Sequence, residues 1–206
     1  MNCDLRKDDW EQSYGRGENF IFFPKEEVVK FVNRFVRKRT GINQFNDLLP
    51  DLSSSSRALD YGCGIGRNTI LLKEFGFDAY GMDISEISIR SAVMLAETFS
   101  PELRPQFELC SGTEIPCKDS FFEFIVCESV LDSMFFEVAK KIVKEFERVV
   151  RTYVFISLVS TEDANSEKGK EEIVSTSHEK GTVQSYFDLK KINKLISDTC
   201  FDIVWG

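Results

Sequence analysis

Two short runs in the first half of the chain have the residue types and spacing to hold a nucleotide. In Asp60-Tyr61-Gly62-Cys63-Gly64-Ile65-Gly66 the glycines alternate, so the backbone can turn sharply and approach a ligand with no Cβ in the way. Such a turn alone is weak evidence, since loops of this kind also serve packing. Its neighbour strengthens it: Asp83 follows Gly62 by 21 residues, in Tyr80-Gly81-Met82-Asp83. There a carboxylate can accept hydrogen bonds from both hydroxyls of a ribose. The alternative for Asp83 is a cap on the helix that follows.

Spacing narrows the nucleotide. A dinucleotide fingerprint needs Gly or Ala at its sixth position, where helix and strand pack closely; counted from Gly62 that position is Arg67. Asp60 would also set negative charge near a pyrophosphate, and it suits a cationic ligand better. No Gly-Lys-Ser/Thr follows, which excludes a phosphate-cradling P-loop. A metal site is not expected, because the six cysteines form no CxxC pair and His178 is the only histidine. The thiols read as reduced and mostly buried.

The positioning elements follow from periodicity. Ala58 to Tyr61 reads as a strand, Arg67–Phe75 as a helix and Phe77–Met82 as a strand. Ser85 caps a helix running to about Phe99. Phe107–Cys110, Phe121–Cys127 and Tyr153–Val159 read as further strands, with helices over Phe135–Val149 and Asp188–Thr199 and a last strand starting in Phe201–Trp205. This alternation predicts an α/β fold: a Rossmann-like, doubly wound, mostly parallel sheet with helices on both faces. Ahead of it, Trp10–Pro24 is an aromatic irregular segment, and Lys25–Arg39 has helical apolar spacing with Arg34, Arg37, Lys38 and Arg39 on a solvated face. The expected organisation is one domain over 1–206, with a cap segment and helix in 1–40 and a ligand-binding core in 57–206.

With both motifs in view, the chain resembles the class I S-adenosylmethionine-dependent methyltransferases. Leu59 to Gly66 is similar to their first motif and Gly81-Met82-Asp83-Ile84-Ser85 to their second, with the likeness extending over roughly Ala58 to Trp205. The resemblance implies S-adenosyl-L-methionine as cofactor, with Asp60, Gly62, Cys63 and Gly64 around its methionine part and Asp83 and Ile84 at its ribose. Cys110-Ser111-Gly112-Thr113 is similar to the family's turn after the third strand and implies Ser111, Gly112 and Thr113 at the adenine, although the family often has Asp where Ser111 stands. Glu128, closing the fourth strand, is expected beside the methyl group. The family's fold ends with an antiparallel strand pair, and up to Gly206 there is room for only its first member, so either the C-terminus is truncated or the edge of the sheet is remodelled. That leaves an exposed sheet edge through which a homodimer is expected to form.

Methyl transfer from a sulfonium is an in-line displacement, so alignment and exclusion of water supply most of the rate and a general base is optional. His178 and Tyr186 are the expected catalytic groups, on the polar stretch before the last helix. Trp10, Tyr14, Phe20, Phe22 and Phe23 are expected to cover the cofactor and face its sulfonium. The tetrad that marks methylation of base amines is absent after strand four, where the chain reads Glu128-Ser129-Val130-Leu131. Together with a net charge of −8, this argues against nucleic acid as a partner. A small-molecule acceptor methylated on oxygen or nitrogen is the leading expectation. A catalytically silent binding module of the same fold is the alternative, and Arg67 and Asp60 disfavour an NAD-dependent oxidoreductase. With no spanning apolar run and no signal-like start, no membrane association is expected and the location is read as cytoplasmic.

Overall fold

The structure is a computed structural model that describes residues 5–99, 101, 105–110, 112–163 and 171–206. Its centre is a five-stranded sheet built from β3 (Arg57–Tyr61), β4 (Asp78–Asp83), β5 (Gln106–Leu109), β6 (Phe122–Glu128) and β7 (Val150–Ser157). The order is β5-β4-β3-β6-β7 and every pairing is parallel. The strand order therefore reverses between β3 and β6. In an open α/β sheet a ligand sits beyond the carboxyl ends of the strands at that reversal.

Side-chain alternation along the central strands builds two cores. Leu59, Tyr61, Ile125 and Cys127 face one layer, made largely by α5 (Phe136–Val149) with Leu195 of α6 (Leu189–Ile196). Ala58, Phe124 and Val126 face the other, where α3 (Arg67–Glu74) supplies Leu71 and Leu72 and the N-terminal helix α2 (Glu26–Phe31) supplies Val28 and Phe31. Burial on both faces is why β6 reads as an almost unbroken apolar run. Helix α4 (Glu86–Phe99) lies on β4 and β5 and meets α1 (Lys7–Gly15). The Ser85 side chain accepts the Ser88 amide at 3.1 Å, the cap that its position predicts.

The N-terminal region departs from the expected helix over Lys25–Arg39. After α2 the chain makes one π-helical turn, Val32–Val36, then enters a hairpin of β1 (Arg37–Gly41) and β2 (Gln44–Asp47). Arg37 is the cause: it is buried rather than solvated, donating to the Phe75 carbonyl at 3.0 Å and to Asp47 Oδ2 at 3.2 Å, over the Phe77 ring. A second small sheet, β8 (Glu171–Ile173) against β9 (Val183–Ser185), was not expected either. The strand predicted in Phe201–Trp205 does not form; Trp205 instead packs on Phe35 and Phe155. Among the described residues no helix is long and apolar enough to cross a membrane.

Candidate functional site

The glycine turn leaves β3 and is hung from the neighbouring strand: the Gly62 and Cys63 amides both donate to the Met82 carbonyl, at 2.7 and 2.9 Å. Gly62 has φ +71°, and a Cβ there would lie 2.3 Å from Val130 Cγ2. Gly64 has φ +53°, with the Tyr14 hydroxyl 2.8 Å from where a Cβ would be. Both positions therefore require glycine for conformation and for space.

Asp83 ends β4 and ties the two motifs together. Its Oδ2 accepts the Gly64 amide at 2.9 Å and its Oδ1 accepts the Ser85 amide at 2.9 Å. Burial raises its pKa, and these amides work against the rise. The acid thus faces the turn and also braces the start of α4.

These residues line a cavity of about 330 Å³, within the size range of small-molecule sites. Gly62, Cys63, Gly64, Asp83, Ile84, Cys110 and Glu128 form its floor, and Trp10, Tyr14, Asn19, Ile21 and Lys25 of the N-terminal segment form a wall. Of the aromatic residues expected to cover the cofactor, Trp10 and Tyr14 line the cavity; Phe22 and Phe23 are exposed and Phe20 is marginally so.

Glu128 is the most heavily engaged acid in the cavity. It pairs with Arg67 through one oxygen, while the other accepts from Lys25 Nζ and Ser129 Oγ, both at 2.7 Å. Burial alone would raise its pKa, but the Lys25 and Ser129 hydrogen bonds and the Arg67 charge outweigh it and hold the group below the ordinary value. Two cations therefore stand over the end of β6 beside the turn. Spacing had shown Arg67 only as the residue that breaks a dinucleotide fingerprint, and its partner 61 residues on could not be read from the sequence.

Asp60 lies behind the turn and is not among the cavity's lining residues. Thr69 Oγ1 donates to it at 2.7 Å, and burial pushes its pKa up to about 7 against that hydrogen bond. Its charge near neutrality is thus weaker than the sequence reading assumed. Gly112 and Thr113 are also not among the lining residues, although Cys110 just before them is; Ser111 lies outside the described residues.

Neither member of the expected catalytic pair is among the cavity's lining residues. His178 is exposed, 4.0 Å from Glu18 and 3.6 Å from Glu179, and does not line the cavity. Its neighbour Glu179 does. Tyr186 is buried with its hydroxyl donating to Glu172 of β8 at 3.2 Å, and it too is not among the lining residues. The sequence placed these groups near the end of the sheet, but β8 and β9 hold the tyrosine and set the histidine at the rim. Two lining side chains carry buried oxygens with no hydrogen-bond partner among the described residues, Asn68 Oδ1 and Asp132 Oδ1. Neither was a site candidate by sequence. Among the described residues no cluster suited to a metal ion is found.

A doubly wound sheet with a glycine turn at its reversal, an acid at the end of the next strand and a cavity beside both is the arrangement of a binder of a small nucleotide-like ligand. A model of the methyltransferase-domain family matches residues 32–204. The chain belongs to that family, and it is a class I S-adenosylmethionine-dependent methyltransferase. Among solved structures, it is similar to a SAM-dependent methyltransferase from Methanosarcina mazei at 24% identity, over 74% of this chain and 84% of that one, with a TM-score of 0.60. It is also similar to magnesium protoporphyrin IX methyltransferase from Synechocystis with bound SAM, at 20% identity over 73% and 62% of the two chains, TM-score 0.57. A third is Haemonchus contortus phosphoethanolamine N-methyltransferase 2 in complex with S-adenosyl-L-methionine, at 16% identity over 96% and 41%, TM-score 0.59. At these identities the likeness is one of fold.

Proposed function

We propose that the protein transfers a methyl group from S-adenosylmethionine to an oxygen or nitrogen of a small-molecule acceptor. The observation that supports this reading is the cavity of about 330 Å³, lined by the glycine turn and by N-terminal residues such as Trp10 and Tyr14, a size suited to small molecules. Its lining mixes apolar residues with Glu128, Asp132 and Glu179, and the chain's net charge of −8 suits no polyanionic substrate.

The cofactor supplies the electrophilic methyl group; the chain's residues bind, orient and exclude water. Asp83 takes the ribose hydroxyls, the Gly62–Gly64 backbone passes along the methionine part, and Cys110, which lines the cavity just ahead of Ser111, Gly112 and Thr113, borders the adenine. Arg67 and Lys25 offer charge to the cofactor's carboxylate. Asn68 Oδ1, buried and unpartnered, is an acceptor suited to its ammonium. Trp10 and Tyr14 shield the reacting centre.

Incubation of the protein with methyl-tritiated S-adenosylmethionine and a cell extract, followed by size fractionation, tests the acceptor class. Enzyme-dependent label is expected in the low-mass fraction. Label confined to protein or nucleic acid would overturn the reading. The free side of β7, which pairs only with β6 among the described residues, is the proposed homodimer edge; a monomeric mass by light scattering counts against it.

A further inference from the structure

We propose that Asp132 holds the methyl acceptor through an N–H or O–H group and takes the proton that the acceptor loses on methylation. The proposal rests on the small-molecule reading above and adds the group that meets the acceptor. Asp132 lies in the loop after β6, only 2% exposed, and lines the cavity with Ser133, Met134, Val159 and Gln184. Its Oδ2 accepts the Val159 amide at 2.9 Å, and its main-chain carbonyl accepts the Ser185 amide at 2.7 Å. The carboxylate is thereby fixed between the ends of β6, β7 and β9. Its Oδ1 has no hydrogen-bond partner among the described residues.

An unpaired buried carboxylate oxygen is costly, and proteins rarely leave one without a reason. Oδ1 is itself closed to solvent; a turn of the carboxylate toward the cavity that its side chain lines pairs it with a donor on a bound molecule and removes that cost. Glu128 cannot serve in the same way, because Arg67, Lys25 and Ser129 already occupy its oxygens. Burial pushes the Asp132 pKa up to about 6, with the Val159 amide opposing, the Glu128 charge adding to the rise and Lys25 opposing it. A carboxylate of that basicity is mostly ionised near neutral pH yet accepts a proton more readily than an exposed one. In the step, the acceptor's nitrogen or oxygen bonds to the methyl carbon as the carbon–sulfur bond breaks, and the electron pair of that bond stays on sulfur. The acceptor's proton passes to Asp132 Oδ1 and then to solvent.

The test needs no knowledge of the acceptor. Sinefungin carries an amine-bearing carbon where the methyl donor carries its sulfonium, so its ammonium reports on carboxylates facing the reacting position, and S-adenosylhomocysteine is the reference ligand. In Asp132→Asn the preference for sinefungin over S-adenosylhomocysteine is expected to fall about tenfold or more, with affinity for S-adenosylhomocysteine kept. An unchanged preference overturns the proposal. Should the variant fail to fold, the wild-type protein gives a second readout. Between pH 5 and pH 7.5 its preference for sinefungin is expected to rise about tenfold, following the ionised fraction of a group that titrates near 6. A flat profile overturns the proposal.

The charged groups around Asp132 are Glu128 and Lys25 in the cavity, Glu179 at its rim, and the Glu171–Lys191 pair that meets Ser185 from β8 and α6. Glu179→Gln, run in parallel, separates the rim acid from Asp132. Failure of the wild-type protein to bind S-adenosylhomocysteine would instead strike the methyltransferase reading, while label found only on protein or nucleic acid in the extract assay would strike the small-molecule reading and leave the sinefungin result standing.

Discussion

The carboxylate of Asp83 accepts the main-chain amide of Gly64 at 2.9 Å, so the acid that ends β4 and the glycine turn that leaves β3 form one hydrogen-bonded unit. Asp83 is 7% exposed and lines the cavity. Replacing it with Ala removes charge-assisted hydrogen bonds to a bound ribose, an effect of about 1.5–3 kcal/mol, or roughly 10- to 150-fold in affinity. Calorimetric titration with S-adenosylhomocysteine measures this. Unchanged affinity would show that Asp83 only braces the turn and the Ser85 amide.

Two glycines of the site predict opposite outcomes. At Gly62, Ala must adopt φ +71° and place its Cβ 2.3 Å from Val130. The left-handed conformation alone costs about 1–3 kcal/mol, and the contact adds to it. At Gly112 a Cβ meets nothing within 4 Å, so Gly112→Ala is expected to change stability by no more than about 0.5 kcal/mol. Urea denaturation of both variants decides the matter, and equal losses would show that the turn is not under the constraint described.

Much of this arrangement was legible in the sequence because it is local. The glycines, Asp83 and the Ser85 cap each declare themselves within a few residues, and the alternation of apolar strands with amphipathic helices fixes a parallel sheet. What escaped depends on distant partners. Arg37 leaves a helical pattern for a strand because Asp47 and the Phe75 carbonyl claim its guanidinium. Arg67 acquires a role only when β6 brings Glu128 beside it. Asp132 is a candidate because one of its oxygens is left unpaired after β7 and β9 have used the rest of the residue, a fact of packing with no sequence signature. His178 stands out in the sequence for the intrinsic pKa of its side chain, but its exposure and its place outside the cavity lining depend on packing that the sequence does not show.

The ion pair between Arg67 and Glu128 is largely buried, with side chains 12% and 3% exposed. Arg67→Ala leaves the acid buried with Lys25 and Ser129 as its remaining partners. Breaking such a pair is expected to cost about 3 kcal/mol. Arg67→Met combined with Glu128→Leu removes both charges and is expected to recover most of that stability while cofactor binding stays weakened. Chemical denaturation paired with calorimetry separates the two effects. A double variant as unstable as Arg67→Ala would show that packing around the guanidinium, not the stranded charge, sets the cost.

The buried Asp60 carboxyl predicts a pH dependence whose sign runs against the usual acid behaviour. Burial holds it near 7 in the folded chain, against an ordinary value of 3.8. Between roughly pH 4 and 7 the folded state therefore keeps a proton that the unfolded state has released, and the contribution of this group to stability falls as pH rises. Below about 4 both states are protonated and the contribution is complete; above about 7 both are ionised and the loss is complete. Asp60→Asn keeps an oxygen for the Thr69 hydroxyl, which donates at 2.7 Å, and cannot ionise. The stability of Asp60→Asn relative to the wild-type chain is thus expected to rise steadily from pH 4 to pH 7 and then level off. Taking the difference between the two proteins removes the opposing trend from Glu128, whose pKa is held low by its cationic partners. Urea midpoints at five pH values measure it. A difference that stays constant across that range would mean that Asp60 is ionised in the folded chain despite its burial, and the turn would then carry a full negative charge behind the ligand.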